Sequence, residues 1–318
     1  MTVSVVLSVY NGREYILEQL GSLVKQTRLI DEVYIIDDCS KDGTPFIIQK
    51  YIEENGLNNW KLKRNIVNRG WKVNFVEGMQ AASGDIIFPC DQDDIWREDK
   101  IELMASIIES DSAIEILEGK PHKFYQEDGK IGTFSARNAI GIILDKIHAR
   151  ATICTNTGKV VKKDFDKSFM NRAPGCCLAV RKETVKKYIE YWFDDMPHDA
   201  LITYFPNLSD GYYIIDREVI DWRQHVGSAS RPTERNKSQR IKELELDKKM
   251  IDEMIRFSNN KSINVKYIRL LQQAKEWNKI RFEVVRDGKI YKVIHLLRYS
   301  SFYLQKRRII TDIKYGLR

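Results

Sequence analysis

Gly84-Asp85-Ile86-Ile87-Phe88-Pro89-Cys90-Asp91-Gln92-Asp93-Asp94-Ile95-Trp96 is the stretch on which the fold turns. Its apolar run, Ile86 to Phe88, reads as a buried strand. The run gives way to three carboxylates within four residues, Asp91-Gln92-Asp93-Asp94. Negative charge crowded at a strand end is costly without a cation. Hard oxygen ligands suit Mg²⁺ or Mn²⁺, and such an ion can hold a diphosphate. A plainer use competes: Asp93 or Asp94 at the N-cap of a helix over Trp96 to Ser110.

Working outward, Val3 to Val9 is almost wholly apolar, as a central parallel strand is. Arg13 to Gln26 carries Ile16, Leu17, Leu20 and Leu23 at helical spacing. Glu32 to Ile36 reads as a second strand ending in Asp37-Asp38-Cys39-Ser40. Thr44 starts a helix to about Asn55. A third strand over Trp60 to Asn65 and a helix over Val73 to Ala82 lead back to Ile86. This β-α-β-α-β-α-β order specifies a mostly parallel sheet covered on both faces, α/β in class. Ligands of such sheets lie at the carboxyl ends of the strands. Tyr10-Asn11, Asp37-Asp38 and Asp91 to Asp94 all fall there.

Downstream the pattern weakens. Residues 112–172 read as irregular loops and small strands. Pro174 to Val180 regains strand character, and Lys182 to Trp192 reads as a helix. Asp210 to Ile215 and Glu218 to Trp222 read as short, edge-like strands. Ser238 to Phe257, Val265 to Arg286 and Lys289 to Tyr315 are helical in pattern. The composition shifts after about Arg235, which suggests two units: 1–235, and a helical 236–318.

Composition bounds the function. The chain has 318 residues, 43% hydrophobic and 31% charged, as a folded and not a disordered protein has. The apolar N-terminus is short, lacks a basic start and reads as a first strand, not a signal peptide. Five cysteines with no Cys-x-x-Cys pair argue against a disulfide framework or a zinc site and for a reducing compartment. The net charge of +7 is modest, with base concentrated after Lys279. No nucleic-acid-binding motif accompanies it, so an anionic membrane surface or substrate is the expected counterpart, and no nucleic acid.

Four motifs in order carry a resemblance: Leu7-Ser8-Val9-Tyr10-Asn11-Gly12, Ile36 to Thr44, Asn68-x-Gly70-x-x-x-Asn74, and Asp91-Gln92-Asp93-Asp94-Ile95-Trp96. With Pro174-Gly175-Cys176, His198-Asp199 and Trp222-Arg223-Gln224-His225, they resemble family 2 glycosyltransferases of the GT-A fold. Within that family the pattern looks like the bacterial rhamnosyltransferase-like branch. The resemblance implies a Rossmann-like sheet with a helical C-terminal extension. It implies a nucleotide-sugar site formed by Val9, Tyr10, Asn11, Glu14, Asp38, Arg69, Asn74, Asp91 and Gln92. Asp38 would accept a hydrogen bond from the base, as a carboxylate can from a pyrimidine N3–H. Its other use is to cap a turn, and Asn74 could simply sit on a helix surface. Asp93 and His225 would hold the Mn²⁺ or Mg²⁺ ion. Asp199 would be the catalytic base that takes the acceptor's proton in a single, inverting displacement; the competing, less favoured use is to cap a helix over Ala200 to Phe205.

The implied activity is transfer of a sugar, rhamnose from dTDP-rhamnose first and a UDP-hexose second, to a glycan or lipid-linked acceptor of a bacterial surface polysaccharide. An inactive carbohydrate-binding or scaffold relative is the alternative of another class. A sugar-nucleotide pyrophosphorylase would need a richer phosphate loop than Asn11-Gly12-Arg13. The tail mixes Ile294, Leu296, Leu297, Tyr299, Phe302, Tyr303 and Leu304 with Lys306-Arg307-Arg308. Such a segment suits an anionic bilayer or a packing or homodimer contact. The expected location is cytoplasmic, with peripheral association at the inner membrane face.

Overall fold

The computed structural model describes residues 1–127, 130–133, 151–155, 158–225, 236–303 and 307–317. The boundary near 235, together with Leu304 and Lys306 of the tail, lies outside the described residues. The first half alternates as expected: β1 (Val3–Val9), α1 (Ile16–Val24), β2 (Glu32–Asp37), α2 (Thr44–Glu54), β3 (Trp60–Arg64), α3 (Trp71–Ala81) and β4 (Ile86–Cys90). The order β3-β2-β1-β4 is parallel throughout. Side chains alternate across this sheet, as a period of two requires. Val5, Leu7 and Val9 enter a core with Ile16, Leu20 and Ile101. Val6 and Ile87 enter the opposite core with Phe75 and Met79.

Past β4 the structure corrects the reading of the sequence in several places. Ile95–Trp96 is not helical but a two-residue strand, β5, paired with a later strand. The next helix, α4 (Lys100–Ser110), starts only at Lys100, so neither Asp93 nor Asp94 caps it. The first part of the region read as irregular is a twelve-residue strand, β6 (Ile116–Glu127), in the middle of the sheet. Gly119, Pro121 and its charged second half mask the strand pattern. Short strands β7 (Lys130–Thr133), β8 (Ala151–Thr155) and β9 (Gly158–Lys162) follow.

A 3-10 turn at Gly175–Cys177 precedes β10 (Leu178–Arg181), which runs antiparallel between β4 and β6. Helix α5 (Lys182–Tyr188) and helix α6 (His198–Leu208) come next. The two strands expected over 210–222 are one, β11 (Tyr212–Gln224). It is not an edge: it lies between β6 and β9, with register shifts near Glu218 that let it bend.

The C-terminal helices α7 (Lys237–Asn260), α8 (Val265–Asp287), α9 (Val293–Arg298) and α10 (Arg307–Gly316) have a small cluster of their own, Leu244, Val285 and Tyr315, but bury most of their apolar residues in a core shared with the rest. Met254, Phe257, Leu271 and Trp277 share one cluster with Phe75, Tyr188 and Phe205 of the sheet-bearing part. The tail's Leu296, Phe302 and Tyr303 are buried in that cluster, which removes them from any membrane-facing surface. Asp312, wholly buried, ties α10 to its neighbours: it accepts from Arg240 Nε at 2.9 Å, Arg281 Nε at 2.9 Å and the Tyr303 hydroxyl at 3.0 Å. Among the described residues no helix is long and apolar enough to cross a membrane.

Candidate active site

The carboxyl ends of β1, β2 and β4 adjoin, so the three polar clusters of the sequence meet on one edge. At β1 the chain turns sharply: Asn11 is left-handed with φ 48°. That conformation suits Asn, whose Oδ1 accepts from Lys41 N at 2.9 Å while its own N–H donates to Ser40 Oγ at 2.9 Å. Val9 is buried and Tyr10 is 48% exposed, its ring at the open edge. Glu14 is exposed in the turn before α1, two residues ahead of its first helical residue, Ile16.

Gln92 binds the same turn. Its Oε1 accepts from Tyr10 N at 2.8 Å and its Nε2 donates to Tyr10 O at 3.0 Å. The side chain therefore acts as a short strand partner that fixes Tyr10. Gly12 makes room for it, because a Cβ there would run into the Gln92 amide.

Asp38 is buried, and its carboxylate is engaged by the loop after β3. It accepts from Arg69 N at 2.8 Å, Gly70 N at 2.8 Å and Asn65 Nδ2 at 3.0 Å. Burial alone would raise its pKa; these donors outweigh it and the net shift is downward. Gly70 can present its N–H because it adopts φ 84°, a conformation costly for other residues. Asn74 is 1% exposed, so it is not a surface residue: its Oδ1 accepts from Asn65 at 2.8 Å. The Arg69 guanidinium pairs with Glu77 at 2.6 Å. Asp38, Asn65, Arg69 and Asn74 thus form one clamp that shapes the edge of the cleft.

Beyond β4 the acidic loop is held by a residue to which the sequence reading gave no role. Arg223 is 2% exposed. Its backbone N–H donates to Asp94 Oδ1 at 3.1 Å, its Nε donates to Asp93 O at 2.8 Å, and its guanidinium pairs with Glu18. It lies over the rings of Tyr15 and Phe124, 4.9 Å from each centroid. Two residues on, His225 reaches the same loop: its Nε2 stands 2.7 Å from Asp93 Oδ2. The ring packs on Tyr15 at 4.6 Å. Asp94 is buried under the loop, below the sequence-expected pair.

Asp91, Asp94 and Cys176 form a second grouping, with a carboxylate oxygen from each acid and the Cys176 Sγ within 4.8 Å of one another. Burial, then the neighbouring charge of Asp93, pushes the Asp91 carboxyl above the usual range. Lys100 closes the underside: its Nζ donates to Cys176 O at 2.6 Å and sits 3.3 Å from the Trp96 ring centroid. Burial depresses its pKa to about 8. A loop with this much partly compensated carboxylate fits a divalent cation, and the Asp93–His225 pair offers the oxygen and nitrogen donors that would hold it. Neither Arg223 nor Lys100 was legible as a site residue; the nearest signals were the Arg two positions before His225 and a Lys shortly after the acidic loop.

Asp199 lies in the first turn of α6, whose N-cap position is taken by Pro197. Backbone N–H groups of Ala200 and of Asp199 itself act on the Asp199 carboxylate. Its carboxylate accepts from Arg172 Nη1 at 3.1 Å. Burial raises its pKa, and Arg172 opposes that rise. His198 next to it lies against Gly175, the neighbour of the Cys176 that groups with Asp91 and Asp94, and the charge of Asp199 adds to the upward push on the Asp91 carboxyl. His198 itself is buried, stacked on Phe75 at 4.0 Å, and burial lowers its pKa to about 3.

A twisted sheet with a parallel β3-β2-β1-β4 half, an antiparallel β10 beside it, and an acidic loop at the strand ends defines the nucleotide-diphospho-sugar transferase fold of the GT-A kind. Residues 4–167 match the model of glycosyl transferase family 2, and the chain belongs to that family.

Relatives cover parts of it. The chain is 36% identical over 102 residues to a putative teichuronic acid biosynthesis glycosyltransferase, TuaG, of Bacillus subtilis, covering 31% of this chain and 39% of that protein. It is 25% identical over 230 residues to the dTDP-rhamnosyl transferase RfbG of Shigella flexneri, covering 69% of this chain and 71% of that protein. The chain thus spans well under two thirds of TuaG. The crystal structure of Staphylococcus aureus TarS with UDP superposes with a TM-score of 0.58 at 16% identity, covering 99% of this chain and 89% of that one. The mannosyltransferase PcManGT of Pyrobaculum calidifontis, with GDP-Man and Mn²⁺, gives the same TM-score of 0.58, covering 99% and 84%.

Proposed function

We propose that this chain is an inverting, metal-dependent glycosyltransferase that moves a sugar from a nucleotide-sugar donor to a glycan or lipid-linked acceptor of a bacterial surface polysaccharide. The observation that carries it is the Asp93–His225 pair, 2.7 Å apart on the acidic loop, together with the partly buried Asp199 that Arg172 holds in the first turn of α6. The clamp around Asp38 and the exposed Tyr10 ring form the nucleoside side of the cleft. The cation, when bound, neutralises charge developing on the leaving diphosphate.

The chain's own residues do the rest. Asp199 accepts the proton of the acceptor hydroxyl as its oxygen bonds to the anomeric carbon and the bond to the diphosphate breaks. One base suffices, because a single displacement inverts the anomeric centre. The raised pKa of Asp199 makes it a better base than an exposed carboxylate. Arg223 fixes the Asp93–Asp94 loop so that the donors do not have to be ordered on binding.

Rhamnose from dTDP-rhamnose is the favoured donor. The support is RfbG, which the chain matches over more of its length than it does TuaG. Binding measured against dTDP-rhamnose, UDP-glucose, UDP-N-acetylglucosamine and GDP-mannose with Mn²⁺ tests this. Tightest binding of dTDP-rhamnose is expected; tightest binding of a UDP-sugar would assign the second donor class, and no binding of any would leave a scaffold relative.

The C-terminal segment supports peripheral membrane association. Tyr291, Ile294, Leu297, Ile310 and Leu317 are exposed. Arg298 and Lys314 are exposed near them. Apolar side chains interleaved with base suit an anionic lipid surface.

A further inference from the structure

A cavity of about 270 Å³ opens between the segment 167–172, helix α6 and the C-terminal helices. Its lining includes Lys167, Arg172, Tyr204, Asp247, Arg281 and Arg308. The charges on its wall are unequal in standing. Arg281 and Arg240, both on the wall, are engaged by Asp312 behind it, and Arg240 also pairs with the lining Glu243 at 2.8 Å, so these charges are already matched. Asp247 is paired with Arg281 at 3.7 Å; burial pushes its carboxyl up, and the charges of Arg281, Arg240 and Arg172 oppose that rise. Lys167 is exposed, and its Nζ donates to the neutral Ser301 hydroxyl at 2.8 Å. Arg172 is half-buried and connects the two spaces: it lines this cavity and touches Asp199 at 3.1 Å.

We infer that this cavity seats the acceptor, and that it selects an acceptor saccharide bearing a negative charge, a phosphate or a carboxylate, through Lys167 and Arg172. The inference rests on Asp199 as the base of the proposed reaction. A hydroxyl presented to Asp199 belongs to a molecule whose remaining bulk must go somewhere, and the cavity next to Arg172 is the adjoining space. A guanidinium offers five N–H donors in a planar fork, so Arg172 can hold an anionic group of the acceptor while still facing Asp199. Sharing Arg172 with an acceptor anion also weakens its pull on Asp199, which opposes the rise in that carboxyl's pKa. Acceptor charge therefore both anchors the substrate and restores basicity to the group that deprotonates it. The C-terminal helices, which contribute most of the wall, become part of the substrate site and not merely a support.

The test uses the full chain and four probes: glucose 6-phosphate, glucuronate, glucose and inorganic phosphate, each titrated calorimetrically at millimolar concentration. The two anionic sugars are expected to bind at least tenfold tighter than glucose, and raised salt is expected to erase the difference by screening. Lys167→Gln and Arg172→Gln should each reduce the preference several-fold, and Arg172→Lys should retain part of it. A preference for glucose 6-phosphate alone assigns a phosphate-bearing acceptor, and one for glucuronate alone a uronate. Equal binding of the three sugars, no binding of either anionic sugar, phosphate binding as tightly as glucose 6-phosphate, or a preference unchanged by both substitutions overturns the inference. The salt series needs no variant, so a misfolded substitution cannot decide the outcome. Donor binding measured on the same samples separates the two readings: loss of nucleotide-sugar binding in the unsubstituted protein would sink the catalytic proposal, not the anion preference.

Discussion

Asp93 and His225 lie 132 positions apart in the chain, yet Asp93 Oδ2 and His225 Nε2 stand 2.7 Å from each other. The pairing depends on β11 running beside β6 and carrying β5 on its edge. It also depends on Arg223, whose Nε grips the Asp93 carbonyl at 2.8 Å. If this pair is the cation site, Asp93→Ala and His225→Ala should each abolish Mn²⁺-dependent binding of UDP or dTDP, read by calorimetry, while the melting temperature stays close to the parent's. Full transferase activity in excess chelator would remove the cation from the mechanism.

Asp199→Asn keeps the shape of the carboxylate and the contact to Arg172 but cannot take a proton. Donor binding should persist while turnover falls by roughly 10²–10⁴-fold. A kcat within a few-fold of the parent would reduce Asp199 to a residue that merely positions Arg172.

Removing the charge of Asp312 leaves two arginines, Arg240 and Arg281, without their shared buried partner. Breaking a buried pair from one side costs about 3–5 kcal/mol. Asp312→Asn should therefore lower the denaturation midpoint strongly. Because the helices share one core with the sheet, loss of far-ultraviolet and tryptophan signals should coincide; separate transitions would mean that the helical segment unfolds alone.

Glu32 carries the clearest acid-sensitive stability. Burial raises its pKa, but donors from Ser83, Ser4 and Lys61 outweigh that and lower it to about 2 from an ordinary 4.5. Between those values the unfolded chain binds the proton and the folded one does not. The stabilisation is therefore complete above pH 4.5 and is lost as pH falls toward 2. The full shift corresponds to at most about 3 kcal/mol. Glu32→Gln should flatten the decline in melting temperature over that window; an identical slope in both proteins would contradict the assignment.

The tail offers a test of membrane association. Ile294→Ser with Leu297→Ser and Arg298→Gln should reduce co-sedimentation with vesicles containing anionic lipid, each basic residue near such a surface contributing about 1 kcal/mol. Nucleotide-sugar binding should be unchanged, because these positions lie far from the strand ends in sequence and on another element. Equal sedimentation of parent and variant, or none by the parent, would leave the exposed residues to a contact between two copies.

The sequence by itself determined the first four strands, the helices between them, and the positions of Tyr10, Asp38 and Asp91 to Asp94 on one edge. That much was legible because β1, β2 and β4 are largely buried and largely apolar, so a change to polar or acidic residues marks where each strand leaves the sheet. The length and central place of β6, and the joining of two short strands into one interior β11, were not legible, since both are held by backbone pairing to neighbours far away in the chain and carry polar side chains among the apolar ones. Tertiary structure alone decided that Asn74 is buried, that Arg223 and Lys100 support the acidic loop from inside, and that Phe302 and Tyr303 face the core while Ile294 and Leu297 do not. Each of those outcomes depends on which partner an element meets. A charged or aromatic residue has the same local pattern whether it packs against a distant helix, pairs with a buried acid or faces solvent, and only the assembled chain distinguishes the three.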